Sequence, residues 1–143
     1  MAIISRYFKL EEFMPPDLIR DRGQNCIELL DPVLISLADF VRDFFKASVT
    51  INNWNTGGAL TLRGFRPPDS PTGGFLSQHK FGRAIDINID GHTPQQVYDT
   101  ILANEKQFMN AGLTTMEDVK MTPTWNHLDI RYIGNEFIRI VKP

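Results

Sequence analysis

Strict alternation of polar and apolar residues marks one stretch of this chain. From Ala84 to Asp90, the residues Ala84, Asp86, Asn88 and Asp90 fall on one face of an extended strand. Ile85, Ile87 and Ile89 fall on the other, because successive strand side chains point to opposite faces. The isoleucines read as core, which leaves a row of polar groups for a site or for solvent. A second stretch repeats the design, with Leu128, Ile130 and Tyr132 as the apolar set and Trp125, His127, Asp129 and Arg131 opposite. His79 stands just before the first strand, where Gly82 lets the backbone turn and approach closely.

Helical spacing occurs elsewhere. Asp31-Pro32 is a helix start, with Asp at the N-cap and Pro at the first helical position. Leu34, Leu37, Ala38, Val41, Phe44 and Phe45 then recur on one face, predicting a helix that backs the sheet. Thr93-Pro94-Gln95-Gln96 is a capping box whose helix runs to about Asn104. Phe8 to Phe13 is a short amphipathic opening closed by Pro15-Pro16, and Ser48 to Asn52 reads as a strand. Asn53 to Leu62 is a polar connection in which Trp54 either packs or lines a groove. Pro67 to Gly74 is a loop leading to His79, and His92 reads as a loop histidine. Leu113 to Asp118 predicts a strand, Thr122-Pro123 a turn, Gly134-Asn135 a closing hairpin and Phe137 to Val141 the last strand. Together these predict an α+β fold: a mostly antiparallel sheet, with helices on one face and the polar site on the other.

Composition narrows the function. A chain of 143 residues, 42% hydrophobic and 22% charged, fits one soluble domain spanning 1–143. Its formal net charge of −2 argues against nucleic-acid binding, which needs a basic stripe. Cys26 is the single cysteine, so an intramolecular disulfide and a multi-cysteine zinc site are excluded, and Cys26 reads as a small buried residue. The first residues lack a signal-peptide run, and no stretch reaches the about 20 apolar residues of a membrane span. The expectation is synthesis in a cytoplasm, with any action outside waiting for release.

If the two alternating strands pair, His79, Asp86 and His127 converge on one face. Two imidazoles and a carboxylate make a three-ligand zinc site with the fourth position open for water, which is a catalytic arrangement.

The frame Ser77-x-His79-x-x-Gly82-x-Ala84-x-Asp86, followed by Trp125-x-His127, resembles the zinc D-Ala-D-Ala carboxypeptidases and L-alanyl-D-glutamate endopeptidases. That family includes phage endolysins and shares its metal site with the hedgehog domain. The resemblance extends back through Gly64-Phe65-Arg66 and covers roughly the whole chain. It implies a hedgehog-like fold, a Zn2+ cofactor and hydrolysis of peptidoglycan stem peptides by a bacteriophage lysis or virion enzyme. It further implies that Arg66 faces the active site, where a guanidinium can grip a carboxylate or polarised carbonyl. Ser77 would support the metal or contact substrate, with Gln78 beside it.

The family's general base lies shortly before the second histidine, at positions held here by Thr124 or Met121, and neither can act as a base. Glu117 and Asp118 are the nearest upstream acids, and Glu117 is the preferred base because a longer hairpin would lay its strand beside His127. Asp129 is the fallback base: it shares a face with His127, but at one strand step away it suits a substrate contact or a supporting one better. Trp125 is core or a wall of the substrate groove. The chain is expected to act as a monomer on the stem peptide, with no nucleic acid or membrane partner. Two competing readings stand beside this one: a zinc-retaining structural or wall-binding protein without a base, and a peptidase for the D-Ala-D-Ala dipeptide or for peptide antibiotics.

Overall fold

Asp31 accepts a hydrogen bond from Val33 N–H at 2.9 Å, and this cap opens the long helix that the apolar spacing predicts. The computed structural model describes residues 5–143. Residues Met1 to Ile4, part of the stretch read for a leader, lie outside the described residues. Among the described residues there are four α-helices and a five-stranded sheet. In chain order these are α1 (Pro16–Arg22), α2 (Pro32–Phe45), β1 (Val49–Thr50), β2 (Ala84–Ile89), α3 (Pro94–Ala103), α4 (Glu105–Asn110), β3 (Thr115–Glu117), β4 (Asn126–Asp129) and β5 (Arg139–Val141). None of these helices is long and apolar enough to cross a membrane.

The strand order is β1-β2-β4-β3-β5, antiparallel at every pairing except β3 with β5, which is parallel. The two alternating stretches therefore do pair. Ile85, Ile87 and Ile89 of β2, Met116 of β3 and Leu128 of β4 turn towards the helices. There they join Leu34, Leu37, Ala38 and Val41 of α2, Val97 and Ile101 of α3 and Phe108 of α4 in one buried cluster. Burial of each such side chain stabilises the fold by about 1.5–3 kcal/mol. The opposite face carries Asp86 and His127, as the alternation requires.

The capping box of α3 forms as expected: Gln96 N–H donates to Thr93 Oγ1 at 3.1 Å, and Thr93 N–H to Gln96 Oε1 at 2.9 Å. Cys26 is buried, its thiol donating to Leu18 O at 3.2 Å. Trp54 packs: its indole N–H lies 2.8 Å from Met14 O and 3.1 Å from Glu11 O, tying it to the amino-terminal segment.

Three expectations need correction. The last strand makes no hairpin with β4, because both edges of β4 are already taken by β2 and β3. The chain instead passes through Gly134, at φ +60°, bends at Glu136 and Phe137, and adds β5 to the free edge of β3. Tyr132 is 93% exposed rather than core, since β4 ends at Asp129 and the pleat that would turn it inward ends there. Pro15-Pro16 does close the opening segment, but Pro16 also begins α1, which the apolar spacing did not announce.

Candidate metal centre

His79 sits in a short 3₁₀ turn, Gln78–Phe81, which ends at Gly82 in the left-handed region with φ +68°. A Cβ at Gly82 would lie 1.9 Å from Leu29 O, so the chain can pass here only without a side chain. His79 Nδ1 is 2.7 Å from Gly64 O. A carbonyl can only accept, so Nδ1 carries the hydrogen and the Nε2 lone pair is left free. Gly64 is itself pressed against the chain, since a Cβ there would meet Phe13 O at 2.3 Å. The same Gly64-Phe65-Arg66 segment braces the site further. Arg66 N–H donates to His79 O at 3.1 Å, and Asp86 N–H to Arg63 O at 2.8 Å.

Asp86 and His127 are direct partners in the register of β2 and β4. Asp86 Oδ1 lies 2.9 Å from His127 Nδ1 and 3.2 Å from His79 Nε2, and the two imidazole nitrogens are 3.3 Å apart. All three residues are buried, and this group can hold a metal ion. On its far side, His127 Nε2 lies 2.9 Å from Asp129 Oδ2, and Arg131 Nε donates to Asp129 Oδ1 at 2.8 Å. Arg66 Nη2 donates to Asp86 Oδ2 at 3.0 Å and its Nε to Leu62 O at 2.7 Å.

The charges are strongly coupled. Burial alone would raise the Asp86 carboxyl, but the hydrogen bond from His127, with the His79 ring close beside it, outweighs that and holds Asp86 well below the usual range. Burial alone would lower His127; its bonds to Asp129 and Asp86 prevail and push it up to about 9. Without a metal, His127 thus carries a second proton, which donates to Asp86.

Glu117 ends β3, half-buried, with Oε1 3.8 Å from His127 Nδ1. The register that sets Thr115 opposite Asp129 and Met116 opposite Leu128 brings Glu117 towards His127. Burial raises the Glu117 carboxyl, with nearby Asp86 adding to it and His127, His79 and Arg66 opposing. Asp118 turns elsewhere, accepting Lys120 N–H at 3.0 Å. His92 takes no part, its Nδ1 lying 2.9 Å from Asp90 O. A cleft of about 890 Å³ opens over the cluster, lined among others by Arg66, Ser77, Gln78, Glu117, Met121 and Trp125.

No family model, curated protein or solved structure matches this chain.

Of the residues singled out from the sequence, His79, Asp86, His127, Arg66, Glu117, Ser77, Gln78 and Trp125 all meet at this cleft. Of the two contacts read for Asp129, the packing leaves the supporting one and not the substrate one: it is fully buried, and both its oxygens are taken by His127 and Arg131, so it orients the imidazole. Three contributors went unread. The Gly64 carbonyl leaves no mark in a sequence, because every residue has one. Arg139 and Thr122 reach the cleft through the β3–β5 pairing and the turn before β4. Nothing local in the sequence places them there.

Proposed function

We propose that the protein is a zinc-dependent peptidase of hedgehog-like fold that hydrolyses a peptide bond in peptidoglycan stem peptides, at D-Ala-D-Ala or L-Ala-D-Glu, as a phage lysis or virion enzyme. The observation that carries the metal is the donor triangle, with separations of 3.3, 3.2 and 2.9 Å. Tetrahedral zinc with nitrogen and oxygen bonds near 2.0–2.1 Å sets its ligand atoms about 3.3 Å apart. Each imidazole also has its outer nitrogen engaged, by Gly64 O or by Asp129, which leaves the inner lone pair for a metal. Three protein ligands beneath an open cleft favour a catalytic site over a structural one. The peptidoglycan substrate rests on the resemblance of the Ser77 to Asp86 frame and of Trp125-x-His127.

A bound zinc ion would polarise the scissile carbonyl and bring the pKa of its water to about 7. Glu117 accepts a proton from the attacking water and returns it to the leaving amine, and its burial suits a base working near neutrality. Arg66, fixed by Leu62 O and Asp86, directs its remaining N–H groups at the substrate carbonyl or carboxylate. Asp129 keeps the His127 ring in place through both steps. Ser77 and Gln78 lie on the substrate side of His79, and Trp125 forms a wall of the groove.

Release of peptide fragments from purified peptidoglycan, with chelator and then with added zinc, tests this reading. Chelator-sensitive release that zinc restores supports it, and the fragments name the bond. Stoichiometric zinc binding with no release from any wall type would replace it with a binding role.

A further inference from the structure

We infer that the β5 wall of the cleft is a second anion subsite, which takes a carboxylate of the peptide lying two or three residues from the bond cleaved. This rests on the peptidase reading above. The chain has a formal net charge of −2, yet Arg66, Arg131, Arg139 and Lys142 line the cleft against the acidic groups Asp86 and Glu117. Arg66 is paired with Asp86, and Arg131 with Asp129. Among the described residues, Arg139 and Lys142 have no ion pair and no side-chain hydrogen bond, and they stand exposed on or just beyond β5.

The register gives the place of Arg139. Arg139 pairs with Thr115, and Thr115 with Asp129, so Arg139 lies on the side of the sheet that carries the metal residues. β5 is two strands from β4, about 10 Å at the usual strand spacing, which an extended peptide covers in about three residues.

A second, independent feature points to a ligand at the same wall. Thr122 is only 1% exposed and lines the cleft, yet its Oγ1 has no hydrogen-bond partner in the protein. It is tied beside β5, because Thr122 N–H donates to Asp118 O and Asp118 N–H donates to Val141 O at 2.9 Å. A buried hydroxyl without a partner is costly unless something else bonds it. Arg139 and Lys142, beside Thr122 on this wall, offer a carboxylate charge-assisted bonds.

Stem peptides of the diaminopimelate type carry two internal carboxylates, one on D-glutamate and one on diaminopimelate, and amidation removes either one singly. The test compares synthetic stem peptides with both carboxylates free, with the glutamate one amidated, and with the diaminopimelate one amidated. Wild-type protein, the Arg139→Gln/Lys142→Gln double variant and Thr122→Val are assayed with zinc. One amidation should raise KM about tenfold with kcat unchanged and so name the carboxylate. The double variant should show the same rise on the free peptide and none on that amidated one. Equal losses on all peptides, or no loss, would overturn the subsite while leaving the peptidase reading intact. If no peptide is cleaved, the peptidase reading fails, and calorimetry of the same peptides on the zinc-loaded protein decides the subsite separately. A preference for one free carboxylate that the double variant abolishes supports the subsite, and indifference rejects it.

Discussion

Asp86 and His127 face each other as register partners across β2 and β4, with Asp86 Oδ1 2.9 Å from His127 Nδ1. Two of the three donors of the cluster thus come from one rung of a ladder, and the ladder's hydrogen bonds hold them. Only His79 arrives from a turn, and Gly64 O and Gly82 constrain that turn.

This pairing sets a pH dependence. His127 is raised from an ordinary 6.5 to about 9 in the metal-free fold. Its proton therefore stabilises that fold fully below pH 6.5, and this contribution is lost as the pH rises through about 9. Metal must displace the same proton, so zinc affinity should increase from pH 6 towards pH 9, with proton release on binding. Calorimetric titration in two buffers of different ionisation enthalpy measures this. An affinity flat across that range would contradict the assignment.

Asp129 should matter to the metal without touching it. Asp129→Ala removes the acceptor for His127 Nε2–H, and zinc affinity should weaken about 10–100-fold. Asp129→Asn, which keeps an acceptor oxygen, should recover part of the loss. Competition with a chromogenic chelator reads both variants; equal affinity in wild type and Asp129→Ala would remove Asp129 from the site.

For Glu117 the expectation separates chemistry from binding. Glu117→Gln should lower the turnover of stem peptide about 10²–10⁴-fold while zinc stoichiometry stays as in wild type. Unchanged turnover would mean that another group moves the proton.

Gly82→Ala tests the turn that delivers His79. A methyl group there meets Leu29 O at 1.9 Å, at a backbone angle of φ +68°. The variant should lose more than about 1 kcal/mol of stability, read as a lower denaturant midpoint at constant slope. An unshifted midpoint would show that the turn can relax.

Much of this arrangement was legible beforehand, for a specific reason. The isoleucines of β2 and Leu128 of β4 must be buried, and a period of two then commits Asp86 and His127 to the opposite face. The caps at Asp31 and Thr93 announced α2 and α3, because the acceptor oxygen and the N–H it binds lie within three residues. By contrast, the same alternation placed Tyr132 in the core, because periodicity does not show where a strand stops.

By itself, then, the sequence determined the alternating strands, the capped helices and the candidate ligands His79, Asp86 and His127, because these depend on side-chain type at short spacing. Tertiary structure alone decided that β5 joins β3, that Gly64 O orients His79, that Asp129 backs His127, and that Arg139 and Thr122 reach the cleft. Those outcomes depend on which strand edge is free and where the chain returns. Edges and returns are properties of the packed chain as a whole, and no local stretch of residues encodes them.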